Sequence, residues 1–359
     1  MTATKTRRSR PPGAWLTGIA LVIPALADAD HPTLGLQQEG AGSITTLTAI
    51  SLPKGARTLG IENQHVVNNT IDDHDLAHFA ADGEEVHSVE GMNNLSLHGA
   101  IGVTDRLTLG LNLPYVIRTG IREGEHHGDA AAPADAGHAP GELPAVVDLG
   151  DSRGIGDLTV YGHYRFLGGS ERRTHAAFLL GVKAPTGRTD VISNEGARFE
   201  TEHQPGSGSW DALTGLAFTH QWSKVSLDSN ILYGFAGDGA QASNMGDVFN
   251  YNLALSYRVE QSHSHDTGHH HHDTAESSWD VALELNGEWR DYVSVAGVRQ
   301  VHTGGNMVYL APSVRFNSRK GWAAYASLGI PVLERLNGIQ SDPKFRLFVG
   351  ISVGAGGRQ

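Results

Sequence analysis

The stretch "HSHDTGHHHHD", residues 263–273, gathers His263, His265, His269, His270, His271 and His272 with Asp266 and Asp273. Imidazole and carboxylate together suit Zn, Cu, Ni or Co, and a chain without cysteine has no thiolate for a closed structural zinc centre. The irregular spacing and low complexity predict labile capture of such ions at several sites, with no cofactor required. An appended tag would sit at a terminus, and this run does not. His74 and His78, in "DDHDLAHFAADGEEVH", and His126 and His127, in "EGEHHGDAAAPADAGH", offer the same chemistry at lower density, which also fits a solvated polar loop. His87 closes the first of these two segments.

Catalysis is not expected. No G-x-S-x-G elbow occurs, and the histidines concentrate between the candidate elements rather than within them. The N-terminus carries Lys5, Arg7, Arg8 and Arg10, an apolar run from Trp15 to Leu26, and the small-x-small triplet Ala25-Leu26-Ala27, so residues 1–27 read as a secretory signal peptide. Its removal leaves 23 basic against 39 acidic side chains, which argues against nucleic acid as a partner and for cations. Export also agrees with the lack of cysteine. Residues 28–56 are expected to form an N-terminal periplasmic segment.

The elements that must position these groups show period two. Leu95, Leu97, Ile101 and Val103 alternate with polar or small residues, as do Leu107, Leu109, Leu111 and Leu113, and later Val349, Ile351 and Val353. Twelve such stretches, most of ten to fourteen residues, lie between 57 and 354. Their connections alternate between short turns such as "TDR" and "WSK" and longer segments, including histidine-bearing loops at 67–92 and 118–154. The loop at 260–278 is the exception, a long connection on the short-turn side. Phe166, Trp222, Tyr257, Phe316 and Trp322 fall at strand ends beside the short turns, and Tyr115, Trp210 and Trp289 fall towards the longer loops. Two aromatic bands, an even strand count and alternating loop lengths predict an all-β fold, an antiparallel outer-membrane β-barrel of about twelve strands.

The phrases "GVTDRLTLGLNLPYV", "GIGDLTVYGHYRF", "LLGVKAPTGRTD", "QPGSGSWDALTGLAF" and "VYLAPSVRF" follow one another in an order that resembles the outer-membrane transporter family named after the meta-pathway of phenol degradation. The resemblance runs over roughly residues 93–350. It implies a β-barrel with a transport role and leaves the solute open.

With the apolar face on lipid, the opposite face supplies His98, Asp157, His163, Arg165, Glu284, Glu288, Arg290, Arg315 and Arg346 as pore-lining candidates. Mixed charge on an inner wall forms either a selective aqueous path or a set of side chains that pair across the lumen and fill it. The expected function is an outer-membrane channel or transporter for small solutes, linked to transition metals through its His-rich loops. Its partners would be outer-membrane lipid and a small solute or metal ion. Uptake of hydrophobic or aromatic compounds, and a structural barrel without a pore, are the rival readings.

Overall fold

The computed structural model describes residues 41–125, 143–169, 172–260 and 277–355. Its strands are β1 (Arg57–Asn68), β2 (Gly91–Thr104), β3 (Leu107–Gly124), β4 in two pieces (Val146–Ile155 and Leu158–Leu167), β5 (Thr174–Ala184) and β6 (Asp211–Gln221). They continue with β7 (Val225–Phe235), β8 (Val248–Glu260), β9 (Ser278–Arg290), β10 (Gly305–Asn317), β11 (Trp322–Leu336) and β12 (Pro343–Ala355). Each pairs antiparallel with its sequence neighbours, and β1 pairs with β12 from Arg57↔Ala355 to Asn68↔Pro343. The sheet is therefore a closed twelve-stranded barrel with no open edge. Both ends of the barrel sequence, Arg57 and Ala355, lie at the short-turn end.

The predicted strand count holds, but the predicted loop at 118–154 is too long. β3 continues to Gly124 and pairs with Val146–Ile155, so the ladder rises past the apolar zone and the connection begins only at residue 125. In "IRTGIREG" and "VVDLGDSRGI" the greasy alternation fades while the backbone still has donors and acceptors to pair, and mutual pairing satisfies them. Gly156 and Asp157 interrupt β4, whose lower piece resumes the same partnership from Leu107↔Tyr164 to Asn112↔Thr159.

Period two sorts the side chains as expected. Leu95, Leu97, Leu109, Leu111, Val160, Leu255, Leu283 and Ile351 face outward, where lipid replaces a protein core. At the short-turn end Trp279 and Phe316 lie 5.0 Å apart and Phe316 and Trp322 5.4 Å apart, ring centre to ring centre. Towards the long loops Tyr233 stands 4.6 Å from Phe235 and Phe249 5.8 Å from Tyr251, the second band.

The loop from 69 to 90 contains a helix, α1 (Asp73–Ala81). Asp72 caps it by accepting from Asp75 N at 2.9 Å, and Asp73 and Asp75 place negative charge at its positive end. Arg122 of β3 pairs with Asp73 and so docks the helix on the barrel wall.

The largest departure from expectation is the N-terminal segment. The sequence places 28–56 outside the barrel, but residues 41–52 lie within its lumen, and Pro53, Lys54 and Gly55 are exposed at the short-turn end. "AGSITTLTAISLPKGA" has no repeating apolar face to pack on lipid. Its hydroxyls and backbone amides instead complement the acids and amides of the inner wall.

Placing an arginine on the outer face near mid-barrel tests the assignment of that face. Leu283→Arg should destabilise the barrel by about 2–4 kcal/mol in a reversible folding titration in lipid vesicles, and an effect near zero would contradict a lipid-facing Leu283.

Candidate functional site

Glu284, fully buried on the inner face of β9, is the best-partnered acid in the lumen. One carboxylate oxygen accepts from Ile44 N at 2.9 Å, and the other accepts from Thr46 N at 2.8 Å, Thr45 Oγ1 at 2.9 Å and Thr46 Oγ1 at 2.8 Å. Thr45 N adds a further bond at 3.1 Å. Three successive amides curled around one oxyanion form an anion nest, and charge-assisted bonds of this kind offset the cost of burying a carboxylate.

The rest of the segment is fastened the same way. Leu47 N donates to Asn230 Oδ1 at 2.9 Å, Ala49 N to Thr219 Oγ1 at 2.9 Å, and Leu52 N to Thr108 Oγ1 at 2.8 Å. At the short-turn end Ser51 Oγ donates to Asp105 O at 2.7 Å and Lys54 N to Asp105 Oδ1 at 2.9 Å. Leu47, Ala49 and Leu52 also pack on Tyr161, Ala177, Leu179, Ala217 and Leu232, an apolar cluster inside the barrel. The wall is thin where the segment passes. A Cβ at Gly102 would stand 2.0 Å from Pro53 O, so only glycine permits that approach.

The predicted inward-facing residues divide into two groups. His98, His163, Arg165, Glu284 and Arg315 are buried below the open part of the lumen. His163 Nε2 donates to Thr48 O at 3.1 Å, Arg165 Nη2 donates to Asp105 O at 2.6 Å, and Arg315 lies 5.6 Å from the centre of the Tyr325 ring. Asp157, Glu288, Arg290 and Arg346 reach a cavity of about 790 Å³ that fills the long-loop half. Its wall is mixed: Val66, Met92, Leu232, Val248, Met307 and Tyr309 are apolar or aromatic, and the Arg346 guanidinium stands 3.8 Å from the Tyr309 ring centre.

The cavity's roof is made by the loops. Asp157, at the break in β4, accepts from Gly187 N at 2.9 Å, Ser207 N at 2.9 Å and Ser207 Oγ at 2.7 Å, folding the 185–210 loop inward. Lys183 closes the same knot through Asp211 Oδ2 at 2.6 Å. His302 Nε2 lies 2.7 Å from Glu84 Oε2 across the roof.

Where the 69–90 and 185–210 loops meet, His87, Glu123, Glu200, Glu202 and His203 come together. His87 Nε2 lies 2.7 Å from Glu123 Oε2, and the His87 and His203 rings meet edge to face at 4.7 Å. Burial alone would lower the His87 pKa, but the Glu123 hydrogen bond and the charges of Glu200 and Glu202 prevail and push it up to about 9. Burial, with His87 and Arg118 nearby, holds His203 well below the ordinary histidine range, so its ring is neutral. Sequence reasoning noted His87 and missed its partners, although "ETEH" at 200–203 carries the signal.

Of the metal-binding candidates, His263, His265, Asp266, His269, His270, His271, His272, Asp273, His126 and His127 lie outside the described residues, as does the signal peptide. His74 and His78 sit on α1 with their rings 4.5 Å apart, and His74 joins Asp72 and Asp75 in an exposed trio.

The family model described as "Putative MetA-pathway of phenol degradation" matches residues 103–331, and the chain belongs to that family. An outer membrane channel from Pseudomonas putida F1 is similar over 86% of this chain and 98% of its own, at 16% identity and a TM-score of 0.53. LpxR from Salmonella typhimurium covers 82% of this chain and 99% of its own at 13% identity, with a TM-score of 0.42. The toluene transporter TbuX from Ralstonia pickettii covers 84% and 90% at 9% identity, with a TM-score of 0.40. At 16% identity the likeness to the Pseudomonas putida channel is one of fold, that of an outer membrane barrel. No curated protein matches the chain.

Glu284→Ala removes the acceptor on which the amides of 44–46 converge. Hydrogen exchange at Ile44, Thr45 and Thr46 in the folded barrel should quicken about a hundredfold, the equivalent of ~3 kcal/mol, and unchanged protection would exclude Glu284 as the anchor.

Proposed function

We propose that the protein resides in the outer membrane, exported by the signal peptide at 1–27 and inserted with its short turns towards the periplasm, and that it takes up small hydrophobic or aromatic compounds. One observation carries this reading. The inner half of the lumen is occupied by residues 41–52, while the outer half keeps a cavity of about 790 Å³ with both apolar and cationic walls. A general aqueous pore needs continuous water, which the filled half does not provide. A cavity of this size lies within the roughly 300–1,000 Å³ typical of small-molecule sites.

The wall composition suits an aromatic solute with few polar groups. Met92, Met307 and Leu232 supply adaptable apolar surface, and Arg346 against Tyr309 supplies one face with hydrogen-bond donors. Family membership agrees with this solute class through the family's description alone. Passage requires residues 41–52 to shift briefly, and their attachment by hydrogen bonds and a small apolar cluster rather than by strand pairing allows it. The same filling would serve a structural barrel, so transport itself must be measured. Metal capture by 263–273 is not needed for the reading.

In planar bilayers the intact protein should carry no steady ionic current, and vesicles containing it should take up labelled toluene or phenol faster than empty ones. Deleting residues 41–50 should open a steady current. A porin-like current through the intact protein without aromatic uptake overturns the reading, and neither current nor uptake leaves the structural barrel.

A further inference from the structure

The cluster where the 69–90 and 185–210 loops meet has the composition and shape of a cation site. One ligand atom from each of His87, Glu200, Glu202 and His203 lies within 4.8 Å of all the others. His203 Nε2 is buried and makes no hydrogen bond among the described residues, and the carboxylate oxygen Glu202 Oε1 stands 3.5 Å away. His87 turns Nδ1 to the same oxygen at 3.8 Å while its Nε2 bonds Glu123 at 2.7 Å. Ligand atoms around a tetrahedral ion with bonds of about 2.0–2.1 Å stand roughly 3.4 Å apart, so these separations need only a small contraction.

Charge and outer contacts agree with the geometry. The three carboxylates of Glu123, Glu200 and Glu202 outnumber the nearby guanidinium of Arg118, an excess of negative charge in a largely buried place. A carboxylate that holds the far nitrogen of a ligating histidine fixes the ring's tautomer and direction, and Glu123 stands in that position. Glu200 is half exposed, with its Oε2 3.9 Å from His87 Nε2, and completes the set as a fourth ligand. Two nitrogens and two oxygens without sulfur select a borderline divalent ion over Ca²⁺ or Mg²⁺.

We propose that His87, Glu200, Glu202 and His203 bind a divalent transition ion of the Zn²⁺ class and that the bound ion ties the two loops together over the cavity mouth. Glu123 is the positioning residue for His87. The site is separate from the histidine run at 263–273, and although its four residues line the cavity, ion binding requires no solute passage, so either can fail without the other.

The test uses the full chain in detergent micelles with His263, His265, His269, His270, His271 and His272 changed to serine, which removes the competing run. Calorimetric titration with ZnCl₂ should then show a bound equivalent that His203→Ala and Glu202→Gln each abolish and that His74→Ala leaves in place. Glu202→Gln preserves side-chain shape, so it decides the matter if His203→Ala does not fold; the heat-dependent shift in gel mobility reports folding. No Zn²⁺ binding by the background protein overturns the proposal, and so does unchanged stoichiometry and affinity in a folded Glu202→Gln variant.

Discussion

In a hydrocarbon layer every backbone N–H and C=O must find its partner within the protein, and the pairing of β1 with β12 is what makes that possible here. Without it two strand edges would face lipid, each unpaired group costing several kcal/mol. Closure turns an alternating sequence into a wall with one face on lipid and one face enclosed. Everything inside that wall must then be satisfied without bulk water.

The enclosed face carries Glu284, Asp228, His163, Thr219 and Asn230, all buried and in need of polar partners inside the barrel. Residues 41–52 supply many of these partners. Their amides and hydroxyls serve the acids and amides of β6, β7 and β9, and Leu47 and Leu52 fill the space beside Ala177 and Ala217. Small wall residues and one glycine, Gly102, make room for a backbone to run against the sheet. Above this filling the lumen opens into the cavity, and Asp157 draws the 185–210 loop over it. The same loop brings Glu200, Glu202 and His203 to His87, so one inward fold both narrows the mouth and assembles the acidic roof.

The lipid face was legible because it obeys a rule of period two that a single chain displays openly: Leu95, Leu97, Leu109, Leu111 and Ile351 could be assigned outward from spacing alone. The inward residues were legible by exclusion, but their roles were not. His163 and Glu284 contact residues 115 and about 240 positions away, and no local pattern records such a partner. Residues 41–52 were misplaced for the same reason, since a polar, non-periodic segment reads as solvated whether water or a barrel interior surrounds it. The roof cluster joins His87 to "ETEH" more than a hundred residues later, a juxtaposition that only the folding of two loops creates and that local spacing does not record.

Residues 41–52 occupy the lumen of the folded barrel, and thiol accessibility tests this most directly because the chain has no cysteine of its own. Single variants Ala49→Cys, at a fully buried position inside the barrel, and Lys54→Cys, at an exposed one near the short-turn end, would be treated with a bulky maleimide from the short-turn side. A filled lumen predicts that the thiol at position 54 reacts readily and that the one at position 49 stays unmodified until the barrel is unfolded. Equal labelling of the two in the folded protein would contradict the account.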